Sequence, residues 1–368
     1  MPWLGQSLYE SAAMFWEVLW ALVLGFALSA VLQVFVSKER MTREFGRTNF
    51  HSVALATLFG GASSSCSYAA VAAARSAFKK GAALVPTLAF MFASTNLVLE
   101  LGVVLWLLMG WRFVLAEFVG AFVLIGVMWL LVRLTLPRGL EDEARAHEEA
   151  EEGHHHHESG GGSRLTRVAD AFAMDWSMLW KEMLIGFVIA GFLAVLVPNH
   201  VWQAVFLTNS GAGPLRLVEN VIVGPIIAVL SFVCSIGNIP LASILWSGGI
   251  SFGGVISFIY ADLIVIPLII IYGKYYGRRA ATYITLVLFA SMVIAGLTVD
   301  GLFSALHLVP TGPRPASAIS HARFAWDYTT WLDMIAIAVA AFLALVHFRG
   351  RKAVAHQEHS HQRMDPGI

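Results

Sequence analysis

Residues Phe232–Leu268 read FVCSIGNIPLASILWSGGISFGGVISFIYADLIVIPL. The stretch is almost wholly apolar, yet Gly237, Pro240, Gly248, Gly249, Gly253, Gly254 and Pro267 interrupt it. Glycine and proline disfavour a helix interior, so an ordinary membrane helix has no reason to carry so many. Cys234, Ser235 and Asn238 crowd one short break, and Asp262 stands inside the apolar run that follows. Irregular backbone at membrane depth is tolerated only where protein or a watery cavity satisfies its polar groups. The pattern predicts unwound backbone around a transport site.

The rest of the chain supports a membrane setting. Of 368 residues, 58% are hydrophobic and only 13% charged, against about 25% charged in a soluble protein. Several apolar runs reach the ~20 residues that a hydrocarbon layer requires. Formal net charge is zero, so nothing global points to nucleic acid. Two cysteines without a CxxC spacing indicate neither a disulfide scaffold nor a zinc knuckle. The N-terminus, MPWLGQSLYE, lacks the basic start of a cleavable signal peptide, so the first apolar run reads as a retained span.

The expected spans are about Ser11–Val36, Ala82–Met109, Trp111–Leu134, Met178–Val197, Ile250–Tyr272, Ala281–Val299 and Thr330–Phe348. Between the first two lies Asn49–Phe78, where two short apolar pieces flank GGASSSCS. Each piece is too short to cross alone. The economical solution is a re-entrant hairpin; a single broken span would put Lys79 and Lys80 on the other side. Residues 215–247 repeat the pattern, with the break at CSIGNIP. Basic clusters at 38–47, 79–80, 133–138, 164–167, 274–279 and 349–352 then all fall on one side. By the positive-inside rule that side is cytoplasmic, with the N-terminus outside and the C-terminus inside.

The fold class expected is an all-α polytopic membrane protein with an inverted repeat. Each half holds one span, a re-entrant hairpin and two further spans, and a final extra span gives about seven spans and two hairpins. The division is 1–136 for the first repeat, 137–175 for an acidic His/Gly-rich cytoplasmic linker and 176–300 for the second repeat. An external loop (301–328), the last span (329–350) and a disordered tail (351–368) follow. The linker contains His154–His157 and reads as a flexible polar tract. Laid on each other, the halves align Gly25–Phe26 with Gly186–Phe187, Cys66–Ser67 with Cys234–Ser235, Gly81 with Gly249, and Ala93–Ser94 with Ala261–Asp262. Three crossings per repeat is an odd number, so the second copy is inserted upside down, a plan found in secondary transporters.

The run VCSIGNIPLASILWSGGISFGGVISFIYADLIVIPLIIIYGKYYG resembles the second half of the predicted bacterial permeases related to the organoarsenical efflux permease. CSYAAVAAARSAFKKG…LAFMFAS resembles the family's other copy more loosely. The resemblance covers roughly 11–136 and 176–300 and implies a substrate-translocating permease. Where the family often has Cys-Ser-Cys and then a proline, this chain has Cys66-Ser67-Tyr68 and Ala72.

From the residues, substrate is expected between the hairpin tips, near Cys66, Ser67, Cys234, Ser235 and Asn238. The thiols suit a thiophilic metalloid; the hydroxyls and amide suit an anion or small polar solute. Asp262 is a candidate for proton coupling, because a carboxyl buried in a span usually faces a cavity and acts. Glu100, nearer the end of its span, is a second candidate. Arg75 is expected to snorkel to the cytoplasmic face. The function expected is a secondary-active permease for a small solute in the bacterial inner membrane, with lipid as its solvent, a homo-oligomer as an open possibility and no cofactor. A channel using the hairpins as a selectivity filter is the alternative. No HExxH or nucleotide-binding P-loop occurs, which argues against an enzyme.

Overall fold

A computed structural model describes residues 2–35, 38–63, 67–153, 163–196, 213–231, 235–311 and 328–362, and every regular element among them is helical. The chain opens with α1 (Pro2–Phe35), which starts on a proline whose missing N–H costs nothing at that position. A short α2 (Lys38–Phe45) leads to α3 (Phe50–Ser63) and α4 (Ser67–Lys79). Then come α5 (Leu84–Asn96), α6 (Leu99–Met109), α7 (Trp111–Thr135) and α8 (Leu140–Gly153). The second half holds α9 (Arg164–Leu196), α10 (Pro214–Ser231), α11 (Ser235–Ser247) and α12 (Phe252–Ile259). A 3-10 turn (Tyr260–Leu263), α13 (Ile266–Tyr276), α14 (Arg278–Ala305) and α15 (Tyr328–Gln362) complete it.

Among the described residues, α7, α14 and the Thr329–Arg349 part of α15 are long and apolar enough to cross a membrane. Phe252–Leu263 and Ile266–Tyr276 pass the same test together, bent by 43°. The protein is thus a helical membrane protein. Residues 11–35 and 178–196 of two other expected spans lie in the 34-residue α1 and the 33-residue α9. The tips of both expected hairpins, at 64–66 and 232–234, lie outside the described residues.

Two expected straight spans are broken. Ala82–Met109 divides at Leu97–Val98, where the chain leaves α5 with Leu97 at φ −100° and enters α6 through extended Val98. Ser94, Thr95 and Asn96 end α5, and their side chains bond back to the carbonyls of Met91 and Phe92. Such side chains compete with the helix for its own backbone groups. Ile250–Tyr272 breaks for another reason. Pro267 has no N–H to offer the Leu263 carbonyl four residues earlier, and the Tyr272 hydroxyl donates to that oxygen instead, at 2.8 Å.

The same local features recur in the two halves. α4 and α11 are both 13 residues long and end at Gly81 (φ +99°) and Gly249 (φ +106°), a conformation that glycine adopts without a Cβ penalty. The closing bonds match: Gly81 and Ala82 donate to Phe78 and Ala77, and Gly249 and Ile250 donate to Trp246 and Leu245. α6 and α13 are both 11 residues long and end at Gly110 and Gly277, each again with positive φ. α3 packs on α5, and α10 packs on α12. A Cβ added at Gly60 would lie 2.5 Å from the Phe90 carbonyl oxygen, and one at Gly224 2.7 Å from that of Gly254. Small residues let these helices approach backbone to backbone.

α1 packs along α9, and α15 lies against both. Phe15 meets Phe187 and Phe26 meets Trp176 edge-on, each pair 5.5 Å between ring centres. The start of α12 is held by two groups from elsewhere: Asn220 Oδ1 accepts from Ser251 N at 2.7 Å, and Asp300 Oδ1 from Gly253 N at 2.8 Å. They satisfy amides that a helix N-terminus leaves unpaired.

The acidic tract expected to be flexible contains α8. Leu140, Ala144 and Glu148, spaced one turn apart, are buried against the membrane bundle. Arg145 donates to the carbonyls of Phe78 and Ala82 and pairs with Glu141 at 3.0 Å. Glu141 also accepts from Leu84 N at 3.2 Å, and Glu143 pairs with Arg279 at 3.0 Å. α8 is therefore tied to the ends of α4, α5 and α14 that carry Lys79, Lys80, Arg278 and Arg279. His154–His157 lie outside the described residues, and α15 runs on through Gln362 into the tail expected to be disordered.

Candidate functional site

Ser67 and Ser235 are the first residues of α4 and α11. Their hydroxyl oxygens lie 3.3 Å apart although 168 residues separate them in sequence. Both donate to one oxygen, Oδ2 of Asp262, Ser67 at 2.7 Å. Asp262 sits in the 3-10 turn between α12 and α13 and is fully buried. Two helix starts thus point at one carboxylate. The partial positive charge at a helix N-terminus attracts negative charge placed beside it.

Two further buried groups border this junction. Glu117 of α7 is fully buried, and neither carboxyl oxygen has a hydrogen-bond partner among the described residues. It lies within electrostatic reach of Asp262. The Tyr260 hydroxyl donates to the backbone carbonyl of Glu117 at 3.0 Å and fills the space that Gly120 leaves open. Asn238 is fully buried, and among the described residues neither its amide atoms nor Asp262 Oδ1 has a hydrogen-bond partner. Asn238 is three residues after Ser235, on the same face of α11. A buried amide without a partner costs about 1–3 kcal/mol. Three unsatisfied or half-satisfied polar side chains, Glu117, Asn238 and Asp262, are what a site awaiting a proton, an ion or a solute would show.

Of the residues singled out in the sequence, the structure brings Ser67, Ser235 and Asp262 into direct contact and buries Asn238 on the same helix face. Cys66 and Cys234 lie outside the described residues, as does the side chain of Glu100. Arg75, expected to snorkel, is instead buried against Glu148 at 2.9 Å. Glu117 was missed, although the signal that marks Asp262 marks it too: an acidic residue inside the apolar run Trp111–Leu134. Among the described residues no cluster of His, Cys, Asp and Glu could hold a metal ion.

The family profile described as "Predicted permease" (ArsP_1) matches residues 5–301, which include every group of this junction. A chain of Mycobacterium tuberculosis described as "Putative permease Rv2963" is 45% identical over 327 residues, covering 84% of this chain and 80% of that one. No solved structure matches. A match over nearly all of the membrane part, with a relative this similar over most of both chains, places the protein in the predicted-permease family ArsP_1.

Proposed function

We propose that the protein is a proton-coupled permease of the bacterial inner membrane, moving a small solute through the junction of α4, α11 and the turn at Asp262. The observation that carries this reading is the shared carboxylate: Ser67 and Ser235, at corresponding places in the two halves, both donate to Asp262. The recurring glycine turns, equal helix lengths and matched break positions support an inverted repeat with the two expected hairpins. In such repeats broken helices meet at the midplane and the halves rock about the site. The basic clusters support an outside N-terminus and a cytoplasmic C-terminus.

The coupling follows from charge. Ionised Asp262 holds both helix starts through its hydrogen bonds. Protonation weakens that hold, because a neutral acid is a poorer acceptor than a carboxylate. The helix N-termini, Asn238 and the serines are then free to engage an electron-rich solute, and return of the carboxylate expels it. Anions and metalloid species fit this description. Family membership supports a permease over a filter channel.

The test is uptake into proteoliposomes of metalloids, sulfur anions and organic anions, with and without a pH gradient. Saturable flux that follows the gradient for one class supports the reading; flux that neither saturates nor responds to the gradient refutes it. Asn238→Leu separates site from scaffold. Replacing an unpartnered buried amide with a similar apolar group should leave thermal stability unchanged or raise it by about 1 kcal/mol, while gradient-driven flux is lost. A fall in stability with flux intact would make Asn238 structural.

A further inference from the structure

α4 and α13 leave the same junction and run to the same end of the bundle. α4 begins at Ser67, which donates to Asp262, and α13 begins at Ile266, just past the turn that carries Asp262. The helices meet again at their far ends. The rings of Phe78 and Tyr276 lie edge-on at 5.3 Å, and the Arg75 guanidinium carbon sits 4.1 Å from the centre of the Tyr275 ring. Helices of 13 and 11 residues rise about 16–20 Å, roughly half of a ~30 Å hydrocarbon layer or a little more. The seam between them is therefore a direct way from Asp262 to the end that carries Lys79, Lys80, Arg278 and Arg279, the cytoplasmic end in the topology proposed above.

The linker helix α8 packs on α4, α13 and α14 at the mouth of this seam, and its two sides are held differently. Towards the first half its bonds are mostly buried. Glu148 accepts from Arg75 at 2.9 Å, Arg145 donates to the carbonyls of Phe78 and Ala82, and Glu141 accepts from Leu84 N. Arg145 also covers the Phe78 ring, 4.2 Å from its centre. Towards the second half, α8 rests on the Gly277 turn between α13 and α14. A Cβ added at Gly277 would lie 3.4 Å from the His147 ring. Glu143 reaches Arg279 at 3.0 Å, with both side chains more than half exposed. Buried charge-assisted hydrogen bonds are strong, whereas an exposed ion pair contributes little. α8 is thus anchored to the first half and meets the second across a weak contact.

Resting on the reading of the Asp262 junction as the transport site, we infer that α8 is the latch of a cytoplasmic gate. It moves with α4 and closes the seam by seating His147 and Glu143 on the Gly277 turn. Opening parts Phe78 from Tyr276 and Arg75 from Tyr275. Arg75 keeps Glu148 throughout, so neither member of that buried pair is stranded. The charges that do separate, Glu143 and Arg279, are already exposed and pass into water at small cost. The helix that joins the two halves in sequence then controls access to the site between them.

The test uses the full-length protein in membrane vesicles of either orientation. Cys66 and Cys234 are changed to serine, Ser67→Cys supplies a thiol at the junction, and its labelling by a membrane-impermeant maleimide is timed from each side. Glu143→Lys sets two cations against each other at the latch and touches no buried group. It should speed labelling from the cytoplasmic side by roughly 3- to 10-fold, without speeding it from the outer side, and adding Arg279→Glu should restore the slow rate. In a second protein without native cysteines, Glu143→Cys and Arg279→Cys are joined by a short reducible bis-thiosulfonate. Gradient-driven flux should stop until reductant is added. Cytoplasmic labelling that ignores Glu143→Lys, labelling that rises equally from both sides, or flux that continues through the joined protein would overturn the latch and leave the permease reading standing. Labelling governed by the latch, with no saturable flux of any solute class, would overturn the permease reading and leave the latch.

Discussion

Asp262→Asn is expected to abolish gradient-driven flux, by roughly 10²-fold or more, while solute exchange at equal pH continues. Asparagine keeps an oxygen that can accept from Ser67 or Ser235, so the start of α4 or α11 remains tied and the fold persists. It cannot ionise, so the alternation between a strong and a weak hold on the two helix starts is lost. Glu117 remains and, being buried beside Asp262, could be supposed to take over. Its carboxyl oxygens, however, have no hydrogen bond among the described residues, to either helix start or elsewhere, that its charge could make or break. Proteoliposomes carrying the variant distinguish the cases: exchange without accumulation supports coupling at Asp262, and undiminished accumulation removes it from the mechanism.

The second large effect concerns stability. Glu148→Ala should destabilise the protein by about 3–5 kcal/mol, the cost of breaking a buried ion pair from one side. The pair is well shielded, with side-chain exposures of 8% for Arg75 and 2% for Glu148. Removing the carboxylate takes the Glu148 hydrogen bond from a buried guanidinium that cannot lose its proton. Arg75→Ala should cost less, because the stranded Glu148 can protonate. The two losses also differ in pH dependence. Glu148 has a raised folded-state pKa, so its neutral form contributes stability that is present below the unfolded value and lost as pH rises through the folded one. Taking away Arg75 raises that value further, so the melting temperature of Arg75→Ala should fall more steeply with pH than that of the wild type. Glu148→Ala should lose the pH dependence that Glu148 supplies. Melting curves in detergent across that range check both, and equal losses with parallel pH profiles would show that the pair is not a coupled unit.

What was legible in the sequence was chemistry placed against its background. Asp262 stands out because a carboxylate in an apolar run is costly, and Ser67 and Ser235 stand out because they follow matched cysteines. The alignment of halves pairs Asp262 with Ser94 and does not foretell that Ser67, Ser235 and Asp262 meet; the hydrogen bonds bring them together. The same rule applied evenly would have found Glu117, which was passed over for Glu100. The breaks were harder to read. Leu97–Val98 carries no glycine or proline, and its cause is the side chains of Ser94, Thr95 and Asn96 turning back on their own helix. The consequence of Pro267 for Leu263 depends on Tyr272 arriving to satisfy the freed carbonyl. α8 was least legible of all. Its buried face offers only Leu140 and Ala144 as apolar residues, and its anchor is a pair between residues 73 positions apart, Arg75 and Glu148. Local hydropathy has no access to a partner at that distance.

The central claim is that α4 and α11 begin at one shared site and that transport requires them to separate. Replacing Ser67 and Ser235 by cysteine, with both native cysteines changed to serine, places two thiols where oxygens now lie 3.3 Å apart. Oxidation in the membrane should join the two halves, detectable after proteolysis within the His-rich linker, and should stop gradient-driven flux until reductant restores it. Failure of the thiols to join, or flux that continues with the halves locked together, would contradict the account.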